Sequence, residues 1–169
     1  MNTLREYSKN GGNIVISTGR WPISALKINN DIEEHSGNKN KYLIAMNGAN
    51  IFDLENNKLI FEKHIDNEII KNILDYISGS KIAAWIYSKN GIENRIIYSV
   101  KIPLKKIISK FNYGKIVELD QSQIDNDLVF KILLMSYHKS LINNVIEWIK
   151  KEYDDELSIV KINAKTIEI

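Results

Sequence analysis

The side chains best suited to chemistry stand in one short run, Ser17-Thr18-Gly19-Arg20, directly after the apolar stretch Ile14-Val15-Ile16. Two hydroxyls, an open backbone at glycine and a guanidinium form a set suited to phosphate, because hydroxyl and N–H groups donate while the cation balances charge. Position matters as much as type. In open α/β sheets ligands sit just beyond the carboxyl ends of the strands, and this run lies where a buried strand would end. A second sharp strand end, Asn47-Gly48-Ala49, follows the apolar stretch Tyr42-Leu43-Ile44-Ala45-Met46.

The other chemistry-bearing residues read as scaffold or solvated surface. His35, His64 and His138 are far apart and form no metal-ligand pair at helical spacing. Glu152, Asp154, Asp155 and Glu156 lack the spaced oxygens and glycine of a calcium loop and read as a solvated turn. Asp125-Asn126-Asp127 imitates an Asp-x-Asp pair, but no apolar strand precedes it, so a solvated loop is expected. Lys101, Lys105, Lys106 and Lys110, with Phe111 and Tyr113 nearby, read as a solvated helix face before a nucleic-acid surface. Trp21, Trp85 and Trp148 read as core or interface aromatics, Trp21 being placed to line a cleft because it follows Arg20.

Composition narrows the classes further. The 23 basic and 21 acidic residues leave a net charge of +2, too small and too dispersed to imply a nucleic-acid partner. All but three of the basic residues are lysine, and isoleucine and asparagine are abundant, a bias that follows AT-rich codon usage and strips individual surface Lys and Asn of meaning. The absence of cysteine excludes disulfides, thiolate zinc sites and a cysteine nucleophile. No run approaches the roughly 18 apolar residues of a membrane span. A polar start with Asn2, Arg5, Glu6 and Lys9 lacks the apolar segment of a signal peptide, so a cytoplasmic protein without a membrane partner is expected.

The elements that must position the Thr18 run can be read from spacing. Thr3-Leu4-Arg5-Glu6 fits a capping box for a short helix over 4–10 that stops at Gly11-Gly12, and a strand over 13–17 follows. Pro22 opens a helix that Gly37 closes. The near-continuous apolar strand over 41–46 then suggests a parallel sheet covered on both faces. After residue 50 the pattern changes to a hairpin of 51–53 and 59–61, a helix over 67–78 capped by Asp66, and a hairpin of 81–88 and 92–99 turning at Lys89-Asn90-Gly91. A short helix from Pro103, a brief strand over 115–119, a loop or single helical turn over 120–127, a strand over 128–137, a helix from Ser140 and strands over 156–162 and 165–169 complete the chain. The fold class is α/β: a partial doubly wound core over residues 1–60, then an α+β domain with a largely antiparallel sheet over 61–169.

Gly12-Asn13-Ile14-Val15-Ile16-Ser17-Thr18-Gly19-Arg20, followed by Tyr42-Leu43-Ile44-Ala45-Met46-Asn47-Gly48-Ala49-Asn50-Ile51, resembles the Cof-like branch of the haloacid dehalogenase (HAD) superfamily of phosphatases. Lys165-Thr166-Ile167-Glu168-Ile169 is similar to the strand by which that branch leaves its cap domain. The resemblance implies a HAD-like Rossmannoid core, an α+β cap, small phosphorylated metabolites such as sugar phosphates as substrates, and magnesium as cofactor. It makes Thr18 the catalytic hydroxyl that donates to the transferring phosphoryl group. Arg20, Asn47 and Gly48 would face substrate.

The family's other three motifs have no counterpart in the sequence. There is no Asp-x-Asp-Gly-Thr loop to supply nucleophile and acid/base, since Leu128-Val129 stand where Gly-Thr is required after Asp127. The lysine beyond the cap and the Gly-Asp-x-x-Asn-Asp segment that helps hold magnesium are also missing, so none of these residues is a metal ligand. The reading is a piece of a Cof-like phosphatase, cut at both ends and inactive as it stands. The alternatives are a non-catalytic module that binds phosphorylated metabolites or a protein, and a subunit completed by another chain. A parallel sheet without its central strand would leave apolar edges open, so self-association is also expected.

Overall fold

A computed structural model of the chain describes residues 2–94, 96–100 and 115–169. The chain divides into two compact units, Met1–Lys63 and His64–Ile169.

The first unit opens with α1 (Asn2–Lys9), in which Thr3 lies inside the helix and does not cap it. The strand expected over 13–17 is reduced to β1 (Ile16–Ser17), and α2 (Pro22–Ser36) follows. Proline stands in the first turn of α2, where its missing N–H costs nothing, and Gly37 ends the helix with φ 73°, a conformation glycine adopts without a Cβ penalty. β2 (Tyr42–Ala45) pairs parallel with β1, and β3 (Asn50–Asp53) and β4 (Lys58–Glu62) extend the sheet antiparallel in the order β1-β2-β3-β4. The first unit is thus a mixed sheet whose parallel part is the single β1–β2 pair. Leu43 and Ala45 are fully buried while Tyr42 and Ile44 are half-buried, so β2 alternates in place of being covered equally on both faces.

A polar network ties α2 to the start of β2. The Asn29 side chain donates to Glu33 Oε1 at 3.0 Å, the Asn40 backbone N–H donates to the same oxygen at 2.9 Å, and Asn40 Nδ2 donates to Asn29 Oδ1 at 2.8 Å. These residues line an open cleft of about 610 Å³ with Leu26, Lys41 and Leu54. Because the buried amides and the carboxylate satisfy one another, the network fixes the helix-to-strand connection.

The second unit is a six-stranded sheet with helices. α3 (Asn67–Ile77) starts where the Asp66 carboxylate accepts from Glu68 N–H at 2.8 Å. β5 (Ile82–Ser88) leads into α4 (Lys89–Asn94), and β6 (Ile96–Val100), β7 (Lys115–Glu118), α5 (Gln121–Ile124) and β8 (Val129–Ser136) follow. The unit ends with α6 (Lys139–Tyr153), β9 (Val160–Asn163) and β10 (Thr166–Glu168). Strand order is β7-β6-β5-β8-β10-β9, antiparallel except for the parallel pair β6–β7. Ile70 and Ile73 of α3 and Ile142 and Ile149 of α6 pack with Ile82, Ala84 and Ile86 of β5 and Ile132 and Leu134 of β8 in one core. The helix expected from Pro103 and the lysine face over 101–110 lie outside the described residues.

Two expectations fail for a shared reason. The turn at Lys89-Asn90-Gly91 is not a hairpin but the helix α4, because the Asp127 carboxylate accepts from Asn90 N–H at 2.9 Å and Ser88 Oγ accepts from Gly91 N–H at 3.1 Å. Asp127 is accordingly buried, 8% exposed, and is no solvated loop residue, although Asp125 and Asn126 beside it are exposed. A turn residue's local preference gives way to a capping carboxylate supplied 37 residues later.

The side of β8 that carries Lys131 alternates with the side that buries Ile132 and Leu134. Lys131 is 4% exposed there; its Nζ lies 2.9 Å from Glu168 Oε1 of β10 and 4.6 Å from the ring centre of Tyr87 on β5. Removing one partner of a buried pair strands the other charge. Glu168→Ala is expected to lower unfolding free energy by about 3 kcal/mol, and combining it with Lys131→Met to recover most of that loss; urea titration measures both.

Tyr98 of β6 offers a pH handle. Burial first, and then the negative charge of Asp127, raises its phenol above the ordinary 10.0, while the Asn90 amide opposes the shift. A raised folded-state value means that this residue's contribution is intact below pH 10.0 and is lost as pH rises through the folded value. Thermal unfolding of the wild type is expected to weaken above pH 10.0, with Tyr98→Phe showing a flatter alkaline limb.

Candidate functional site

Thr18, Arg20, Asn47 and Gly48 lie on two loops of the first unit that the β1–β2 pair brings side by side. Ile16 is in register with Leu43 and Ser17 with Ile44, so the chain leaves both strands at the same end of the sheet. Three backbone hydrogen bonds then continue the pairing into the loops. Thr18 N–H donates to Ile44 C=O at 3.0 Å, Asn47 N–H donates to Thr18 C=O at 3.2 Å, and Met46 N–H donates to Arg20 C=O at 3.2 Å.

The hydroxyl is oriented locally. Thr18 Oγ1 accepts from Arg20 N–H at 3.2 Å, which engages an oxygen lone pair and leaves the hydroxyl hydrogen to be donated. Thr18 and Gly48 are half-buried, whereas Arg20 and Asn47 are exposed. Trp21, at the start of α2, is 6% exposed and packs inward, so the expectation that it lines an open cleft is not met in this unit.

The second loop is conformationally unusual. Met46, Asn47 and Gly48 have φ of 53°, 57° and 97°, three consecutive positive values. Such values are routine for glycine and tolerable for asparagine, but costly for a long side chain such as methionine. Behind the loop, Asn50 opens β3 with 0% exposure, and neither atom of its side-chain amide has a hydrogen-bond partner among the described residues. A buried amide of this kind costs on the order of 1–3 kcal/mol. Strain and unsatisfied polarity cluster where structure serves something other than stability. Neither Met46 nor Asn50 stands out in the sequence; the one available signal is an amide at the head of the apolar run Ile51-Phe52.

Other sequence candidates do not gather. His35, His64 and His138 are all exposed, and Glu152, Asp154, Asp155 and Glu156 lie exposed at the end of α6 and just beyond it. Among the described residues no group of three or more His, Cys, Asp or Glu side chains could hold a metal ion. Asp125 instead forms an ion pair with Lys71.

The sequence profile of the haloacid dehalogenase-like hydrolases matches residues 1–169. The chain belongs to that family. Its fold is shared with a haloacid dehalogenase-like hydrolase from Bacteroides thetaiotaomicron (TM-score 0.71, 16% identity, 99% of this chain and 61% of that one). It is shared equally with TM0651 from Thermotoga maritima (0.71, 20%, 99% and 61%) and with a HAD subclass IIB sugar phosphatase (0.71, 17%, 99% and 59%). A protein of Buchnera aphidicola subsp. Schizaphis graminum, provisionally named a phosphatase, is 33% identical over 88 residues, 47% of this chain and 30% of its own length. The chain therefore spans less than two thirds of each of these relatives.

The lip makes a conformational prediction. A Cβ added at Gly48 meets nothing within 4 Å, so only the backbone angle opposes it. Gly48→Ala should cost about 1–2 kcal/mol by chemical denaturation, while Asn47→Gly should be neutral or slightly stabilising.

Proposed function

We propose that this chain is part of a phosphatase acting on small phosphorylated metabolites, sugar phosphates among them, and that Thr18, Arg20, Asn47 and Gly48 form the portion that holds the phosphoryl group. The reading rests on one observation: paired strand ends place a donating hydroxyl and a guanidinium at one lip of a sheet. The family membership and the sugar-phosphatase fold neighbour support it. The Thr18 hydroxyl donates to a phosphoryl oxygen, Arg20 neutralises charge, and the exposed backbone at Gly48 lets an oxygen approach closely. We take its location as cytoplasmic.

Magnesium is the expected cofactor of such a phosphatase, but the donor set at the lip does not fit it. A hydroxyl, an amide and a cation suit an anion, whereas magnesium selects carboxylate oxygens and water. No Asp-x-Asp-Gly-Thr nucleophile loop occurs in the 169 residues. These residues alone are therefore expected to bind phosphate without hydrolysing it, and turnover would require a nucleophile and metal ligands from further chain or from a partner.

Calorimetry with inorganic phosphate and a panel of sugar phosphates tests the binding. Arg20→Ala is expected to weaken it by about 10- to 100-fold, the range of a lost charge-assisted hydrogen bond. No heat with any of these ligands would count against the lip as a phosphate site. Hydrolysis of an aryl phosphate by the 169-residue chain with magnesium, abolished in Thr18→Ala, would overturn the expected inactivity.

A further inference from the structure

The free edge of the first unit's sheet is built to meet itself. β4 is the last strand in the order β1-β2-β3-β4, and Ile60 and Phe61 on it are 49% and 47% exposed. Lys58 and Glu62, also exposed, stand two residues either side of Ile60. We propose that β4 pairs antiparallel with β4 of a second copy of this chain about a two-fold axis at Ile60. That register sets Lys58 of each copy opposite Glu62 of the other, Leu59 opposite Phe61, and Ile60 opposite Ile60.

Opposite charges facing across an antiparallel pair stabilise it, like charges destabilise it, and exposed aliphatic and aromatic side chains gain by covering one another. Isologous pairing also closes after two molecules, whereas a head-to-tail contact would grow. The other edges fit less well. β9 exposes Val160 and Ile162, but antiparallel pairing with itself sets Lys161 against Ile162 and gives the ammonium no carboxylate. β7 has Lys115 and Glu118 at its ends, yet Ile116 and Val117 are already half-buried and have less surface to gain. β1 has two residues, too few for a ladder.

The edge is also restrained. Ile51 is in register with Phe61 and Phe52 with Leu59, which makes Ile60 the extra residue of a bulge. Bulges twist an edge and shorten the ribbon it can offer. The association is consequently weak, seen at high protein concentration. Phosphate at the Thr18 lip plays no part in it, so failure here leaves the phosphate reading untouched.

The chain has no cysteine, which makes a crosslinking test clean. Mild oxidation of Ile60→Cys is expected to give a covalent dimer, because the residue meets its own copy, while Val160→Cys on the comparably exposed β9 edge stays monomeric. By sedimentation equilibrium, Lys58→Glu is expected to raise the dimer dissociation constant about tenfold, and Lys58→Glu combined with Glu62→Lys to return it close to wild type. A wild type that is monomeric at every concentration, crosslinking as efficient in the Val160→Cys variant as in the Ile60→Cys variant, or a dimer indifferent to both charge variants would overturn the proposal.

Discussion

Everything distinctive about the first unit depends on a parallel pairing only two residues long. Ile16 against Leu43 and Ser17 against Ile44 would be marginal as a ladder, and it persists because the loops beyond continue it through the bonds of Thr18, Met46 and Asn47. The order of cause matters. Two isolated strand ends with a hydroxyl and an amide have no fixed relation, whereas two ends locked in register hold them within one backbone hydrogen bond of each other. The buried Asn29–Glu33–Asn40 network does the complementary task at the far end of β2, setting where the strand enters the sheet.

How much of this was legible in the sequence follows from how local each cause is. Gly37 ends α2 and Asp66 starts α3 through bonds that span a few residues, so both boundaries read directly. The five apolar side chains that α3 buries follow from period alone. α4 does not read, since its cap comes from Asp127 across the sheet, and neither does the parallel β6–β7 pair, whose strands are consecutive in an otherwise antiparallel order. The clustering of Thr18, Arg20, Asn47 and Gly48 was legible because parallel strands end on the same side. The left-handed Met46 was not, because methionine has no local preference for that conformation and takes it only when its surroundings impose it.

The two units place their buried polarity differently. In the second, Lys131 and Glu168 neutralise each other across neighbouring strands, and Asp127 caps a helix, so each charge has a local answer. Such pairs add little net stability against a well-packed apolar alternative, yet they penalise any register that separates them. In the first unit the Asn50 amide has no such answer among the described residues, and it sits next to the run of positive φ. Unfavourable terms are thus gathered within five residues, Met46 to Asn50, on one side of the sheet.

Strain of that kind survives only when neighbouring bonds over-determine it. Met46 and Asn47 are held to the Thr18–Arg20 loop, Ala49 N–H donates to Met46 C=O at 3.1 Å, and Lys63 N–H donates to Ala49 C=O at 2.9 Å, so the loop is pinned from both sides. A loop pinned in this way does not need to reorganise when a ligand arrives. Donors already oriented spare the ordering cost that flexible ones incur, and the backbone energy stored in folding returns as affinity for whatever fits between them. This is the physical case for taking the lip, and not the roomier cleft beside α2, as the place where the first unit acts: the cleft's polar groups answer one another, while the Thr18 hydroxyl keeps a hydrogen to give.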